Sequence, residues 1–181
     1  LDILTFYNTI ANDGYLIHPY LGYAFQSGSD IIKITRDSSK SHRICASSTI
    51  DKIKTLLREV VINGTGNSLN DLPFFVSGKT GTSVKNYGVN KNKEYQASFV
   101  GFFPSDKPKY SCIVLIDSPN QEKGFYGSQV AIPAFKEIAK NIYVKEGFKW
   151  SNNNVTEEIK LTESIFKILH KNNNMKNFES K

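Results

Sequence analysis

The chain has 181 residues, of which 39% are hydrophobic and 12% aromatic, with twelve Phe and nine Tyr. That composition suits one domain with a real core, and no run approaches the ~18 apolar residues of a membrane helix. The formal charge is +6, but the lysines are scattered, which reads as a solvated surface and not a nucleic-acid-binding tract. Met175 is the only methionine and the chain opens on Leu1, so the expectation is a cut piece of a longer protein with any leader or anchor upstream. His18, His42 and His170 stand apart without paired spacing, so no zinc site, and no metal or other cofactor, is expected. Cys45 lies in a polar stretch and Cys112 in an apolar run. Cys112 reads as a buried free thiol, while a disulfide between the two stays open.

In chain order, residues 1–13 read as a helix, with Leu4, Tyr7, Ile10 and Ala11 at helical spacing. Gly14 is placed to take a left-handed cap at its end. Residues 15–23 read as a connection, 31–35 as a short strand and 36–43 as a polar loop. Residues 47–63 form the clearest helix, with Ile50, Ile53, Leu57, Val60 and Val61 on one face. Ser48 and Asp51 have capping-box spacing at its start. A glycine- and asparagine-rich turn follows over 65–72. Three strand candidates come next, at 74–83, 96–103 and 110–117, and short links between them favour an antiparallel meander. Residues 130–143 read as a helix with Ala134, Phe135, Ile138 and Ile142 apolar and Pro133 in its early turns. The fold class expected is α+β, an antiparallel sheet flanked by helices. From residue 145 onward the character changes: asparagine triplets flank a weak amphipathic stretch at 159–169, read as a short tail helix with a disordered end.

The chain is organised around Ser77-Gly78-Lys79-Thr80-Gly81-Thr82-Ser83, which follows the apolar run 73–76. It resembles the end of a phosphate-binding loop, but that loop needs a glycine five residues before Gly78 and the chain has Pro73. The nucleotide reading is rejected. If the segment is extended, Thr80 and Thr82 share one face and Lys79 and Gly81 the other. Two hydroxyls beside a bare backbone and a cation suit an anionic group such as a carboxylate. A glycine-containing loop with a solvated lysine is the alternative at this point.

Several ordered blocks carry a resemblance. They are Phe6 through Gly14, then Gly78-Lys79-Thr80-Gly81-Thr82, then Tyr95 through Pro104 with Pro108-Lys109-Tyr110, and last Tyr126-Gly127 with Ala131 through Pro133 and Phe135 through Ile138. On these the chain resembles the C-terminal portion of a penicillin-binding protein transpeptidase domain, of the class B, division-specific type, over residues 1–145, with 146–181 as a tail. That family performs acyl transfer through a serine in an S-x-x-K motif, followed by S-x-N and K-T-G. The resemblance implies that Lys79 supports the hydrogen-bond network and supplies positive charge. It implies that Thr80 and Thr82 hold a substrate carboxylate and that Gly81 lets the acyl chain lie against the strand. The Thr82 backbone N–H would form half of an oxyanion hole.

The same resemblance implies peptidoglycan stem peptides and β-lactams as ligands, divisome or cell-wall synthesis proteins as partners of the parent, no nucleic acid and no metal. It implies a parent anchored in the cytoplasmic membrane and acting on the periplasmic or extracytoplasmic face in septal cell-wall synthesis. The nucleophilic serine is expected upstream of Leu1, leaving this chain inactive alone. Ser164-Ile165-Phe166-Lys167 and Ser68-Leu69-Asn70 have the spacings of the missing motifs but fall in the wrong places, and neither is given a role. A serine β-lactamase or β-lactam sensor of the same superfamily, and a non-catalytic cell-wall-binding module, are the competing readings.

Overall fold

The computed structural model describes residues 1–20, 22, 24–33, 42–86 and 93–146. Helix α1 (Asp2–Ala11) turns Thr9, Ile10 and Ala11 inward. The buried Thr9 hydroxyl donates to the Thr5 carbonyl at 2.8 Å, so it carries no unmet polar cost. The helix stops two residues before the expected end, and Asp13 takes the left-handed conformation ahead of Gly14. Asp13 and Gly14 have φ of 54° and 86°, and the Gly14 N–H donates to the Thr9 carbonyl at 2.8 Å, a left-handed termination.

Strands β1 (Ala24–Ser27) and β2 (Asp30–Lys33) form an antiparallel hairpin. Only β2 was anticipated. The hairpin is short and every residue of β2 is exposed, so β1 has no buried partner face that would impose a readable alternation.

Helix α2 (Ser47–Ile62) buries Ile50, Leu57 and Val61, three of its five expected apolar positions. The expected Ser48–Asp51 capping box is absent. The N-cap is Ala46, with no side-chain hydrogen bond, because the helix begins at Ser47 and Ser48 therefore falls inside its first turn. At the other end the Asn70 amide donates to the carbonyls of Val61 and Ile62, at 2.8 and 3.2 Å. It thereby satisfies two of the orphan acceptors every helix leaves. A 3-10 turn, Asn67–Leu69, seats Leu69 in the interior.

The larger sheet is the expected meander, in order β3-β4-β5 and antiparallel throughout. Its strands are β3 (Ser77–Lys85), β4 (Glu94–Phe103) and β5 (Tyr110–Asp117). The first begins at Ser77 and not at Phe74. Phe74 and Val76 are buried ahead of it, while Phe75 is exposed beneath the Arg58 guanidinium, 4.4 Å from the ring centroid. Arg58 also donates to the Val76 carbonyl at 3.1 Å, and burial pulls its pKa below the ordinary arginine value.

Central strand β4 is apolar on both faces, and each face has its own helix partners. Phe99 and Phe103 meet Phe135 edge-on, at centroid distances of 4.7 and 5.6 Å. On the alternate positions Phe102 clusters with Ile10 and Ala11 of α1 and Leu57 of α2. Helices therefore flank the sheet, as the α+β reading expects.

Helix α3 (Gly127–Glu146) starts three residues earlier than expected and buries Gly127, Ala131, Ile132, Phe135 and Ala139. Of the four apolar residues anticipated, only Phe135 is buried, and Ile138 is 41% exposed. The face is set by Phe135 against Phe99 and Phe103, and the earlier start by a local cap. The Gln129 side chain accepts the N–H groups of Phe125 and Tyr126, at 3.1 and 3.2 Å. This is the backward half of a capping box with Tyr126 as N-cap. Cys45 and Cys112 are both free and partly buried, and burial raises the Cys112 pKa. Residues 1–141 form one compact unit. Of the second, from 142 onward, only 142–146 are described, so the expected tail helix and disordered end lie outside the described residues.

Candidate active site at the free edge of β3

Strand β3 is an edge strand, paired on one side only among the described residues. Which of its backbone groups face outward follows from two glycines. A Cβ built on Gly78 would stand 3.0 Å from the Gly101 Cα, and one on Gly101 would stand 3.3 Å from the Gly78 Cα. The carbonyls of Val100 and Ser77 are turned between the strands beside them. Gly78↔Gly101 is thus a narrow, non-hydrogen-bonded pair, and by the period of two so are Thr80↔Phe99 and Thr82↔Ala97. The N–H groups of Thr80 and Thr82 point away from β4 to the free edge.

The side chains follow the same alternation. Thr80 and Thr82 share the face of their partners Phe99 and Ala97, on which α3 packs. Lys79 and Gly81 lie on the other. The Thr80 hydroxyl is 2.8 Å from the hydroxyl of Thr65. The Thr82 hydroxyl accepts the backbone N–H of Gly127, the first residue of α3, at 3.2 Å. Lys79 is exposed and its Nζ donates to the Thr80 carbonyl at 3.1 Å. It has no carboxylate partner among the described residues. Gly81 sits opposite Ser98, whose Oγ would crowd any side chain there.

The four residues singled out, Lys79, Thr80, Gly81 and Thr82, therefore lie together on one exposed edge. Around them the charges are balanced. Lys85, further along β3, pairs with Asp117 of β5, whose pKa the Lys85 hydrogen bond lowers, helped by Gln96. Ser77 is fully buried and shares a hydrogen bond with the Ser105 hydroxyl.

Sequence reasoning missed Thr65 and gave Gly127 no role. Thr65 was folded into a generic turn, although a hydroxyl residue between two glycines directly after a helix was a readable signal. A hollow of about 320 Å³ lies elsewhere, beside α1, lined by Phe6, Leu16, His18 and Ile44 among others. No group of three or more metal-ligating side chains occurs among the described residues.

An antiparallel sheet with helices on both faces and a Lys-Thr-Gly-Thr edge strand is the serine β-lactamase/transpeptidase-like fold. The chain belongs to the penicillin-binding protein transpeptidase domain family, whose model matches residues 1–140. It is 34% identical over 108 residues to a peptidoglycan D,D-transpeptidase FtsI homolog of Chlorokybus atmophyticus, covering 58% of this chain and 16% of that protein. Among solved structures it is similar to the transpeptidase domain of the FtsI4 D,D-transpeptidase of Legionella pneumophila. That match has a TM-score of 0.57 and 26% identity, over 77% of this chain and 44% of the other. The fold is also that of penicillin-binding protein 3 from Mycobacterium tuberculosis, solved in complex with aztreonam. There the TM-score is 0.65 at 24% identity, over 80% and 34% of the chains. The chain thus spans about one sixth of that curated relative's length and less than half of either solved chain.

Proposed function

We propose that this chain supplies one wall of the acyl-transfer site of a peptidoglycan D,D-transpeptidase, a penicillin-binding protein that cross-links cell-wall stem peptides. One observation carries the reading. In a member of this family, the outward N–H of Thr82, two hydroxyls and a cation line a strand edge that, among the described residues, has no paired neighbour and leaves that cation no carboxylate partner. An extended peptide adds to such an edge by backbone pairing, its terminal carboxylate meeting Thr80 and Thr82 near Lys79. The Thr82 N–H supplies one oxyanion donor, a contribution of about 3 kcal/mol in a complete site. Gly81 leaves the strand surface flat for the acyl chain.

On this reading residues 1–145 are the C-terminal part of the transpeptidase domain and 146–181 a tail. The nucleophilic serine belongs to a part of the domain outside these residues, and the chain alone is inactive. The parent works in septal wall synthesis on the extracytoplasmic face, held by a membrane anchor outside this chain and assembled with cell-wall synthesis proteins. β-Lactams bind as mimics of the stem peptide, as the aztreonam complex of the mycobacterial protein illustrates for that protein.

The test is a nuclear magnetic resonance titration of the chain with N-acetyl-D-alanyl-D-alanine and with its C-terminal carboxamide. The acid is expected to shift the amides of residues 79–83 saturably, and the carboxamide to bind at least tenfold more weakly. Equal binding of the two, or shifts centred elsewhere, would overturn the assignment of this edge to a carboxylate.

A further inference from the structure

The two hydroxyls of the β3 edge are not free rotors. Each is held by a group from outside the strand, and the polarity of those contacts decides whether it can serve an anion. A hydroxyl has one proton to donate and two lone pairs to accept with, whereas a carboxylate only accepts. Thr80 and Thr82 serve a carboxylate only if each keeps its own proton for it.

For Thr82 the polarity is fixed. The Gly127 N–H can only donate, so the Thr82 oxygen accepts and its proton stays available. For Thr80 the contact is hydroxyl to hydroxyl, 2.8 Å from Thr65, and either could donate. Thr65 and Thr80 make no other side-chain hydrogen bond among the described residues. A carboxylate that takes the Thr80 proton therefore leaves Thr65 as the donor, in a chain from Thr65 to Thr80 to anion. Hydrogen bonds in such a chain polarise one another, by roughly 10–30% per bond.

The placement of Thr65 is built in. It sits on a tight turn folded back over the end of α2. The Gly66 N–H donates to the Val60 carbonyl at 2.9 Å, and a Cβ at Gly64 would lie 2.8 Å from that same oxygen. Just beyond, Lys136 of α3 donates to the Ser68 carbonyl and to Asp71, both at 2.7 Å, securing this stretch to α3.

We infer that Thr65 is a positioning residue of the anion site: it donates to Thr80 and so directs the Thr80 proton at the bound carboxylate, as the Gly127 N–H does for Thr82. This rests on the carboxylate reading of the β3 edge, and its test separates the two. The acid and carboxamide ligands above are titrated into the unsubstituted chain, Thr65→Val and Thr65→Ser. Valine keeps the shape and removes the donor; serine keeps the donor and removes the methyl. Thr65→Val is expected to raise the Kd of the acid about five- to tenfold and leave that of the carboxamide unchanged. Thr65→Ser stays within twofold of the unsubstituted chain, and amides outside the 60–85 region keep their positions in both variants. Unchanged affinity in Thr65→Val, or a loss in Thr65→Ser as large as in Thr65→Val, overturns the donor role while the carboxylate reading stands. If the unsubstituted chain does not prefer the acid, the carboxylate reading fails and this inference with it.

Discussion

The backbone N–H of Gly127 donates to the Thr82 hydroxyl at 3.2 Å, so the first turn of α3 is fastened to the strand edge that carries the candidate site. There is no room for a side chain at this junction. A Cβ on Gly127 would lie 2.9 Å from the Gly81 carbonyl oxygen and nearer still to that of Ser98, both backbone atoms. Gly127→Ala is therefore expected to push α3 off the sheet. The loss should be about 1–3 kcal/mol in urea unfolding, the usual penalty for overpacking, and the amides of 81–83 should shift. Unaltered stability together with unaltered shifts would show that the junction yields.

The packing of α3 on the sheet rests on aromatic rings. Phe99 is fully buried and meets Phe135 edge-on at 4.7 Å. Phe99→Ala is expected to cost about 3–5 kcal/mol, measured by denaturant titration. Because the two rings touch, the Phe99→Ala, Phe135→Ala double variant should lose less than the sum of the single losses. Strict additivity would mean that the rings do not act together.

Two carboxylates give the stability a defined pH dependence. Hydrogen bonds from Lys136 to Asp71 and from Lys85 to Asp117 hold both pKa values below the ordinary carboxylate range. A group whose pKa is depressed on folding stabilises above its unfolded value, about 3.9, and loses that contribution as pH falls through the folded value. Tm should therefore be level from pH 7 to about 5 and drop below about 4. Both groups are exposed, so the effect is small and screened by salt. Lys136→Met should return the Asp71 pKa to the ordinary range in a carbon-detected titration. An Asp71 pKa indifferent to that change would remove Lys136 as the cause.

What was legible in the sequence was local. Helix α1 and its stop near Gly14, the buried stripe of α2 and the apolar run of β4 are each written within one segment. The Lys-Thr-Gly-Thr edge could be read for the same reason. Its contacts with Thr65 and Gly127 could not. Thr65 is 15 positions from Thr80 and Gly127 is 45 from Thr82, and no periodicity within either segment reports such a contact. The buried face of α3 was misassigned because it is set by a contact outside the segment: Phe135 meets Phe99 and Phe103 of β4 and takes Ala131, Ile132 and Ala139 inward with it. Strand β1 was missed because its partner β2 buries nothing.

The central claim is that these residues form a recognition wall without the nucleophile that uses it. Acylation needs a hydroxyl activated by a neighbouring base. Ser77 is buried against Ser105. Ser118 is reached by Lys85 at 3.3 Å, but there the lysine donates to the hydroxyl and is ion-paired with Asp117. Lys79 donates to a carbonyl and to no hydroxyl among the described residues. The most direct measurement is the intact mass of the purified chain after incubation with a fluorescent penicillin. The expected result is an unchanged mass. A stoichiometric gain of one penicillin, mapping to a serine of this chain, would contradict the account.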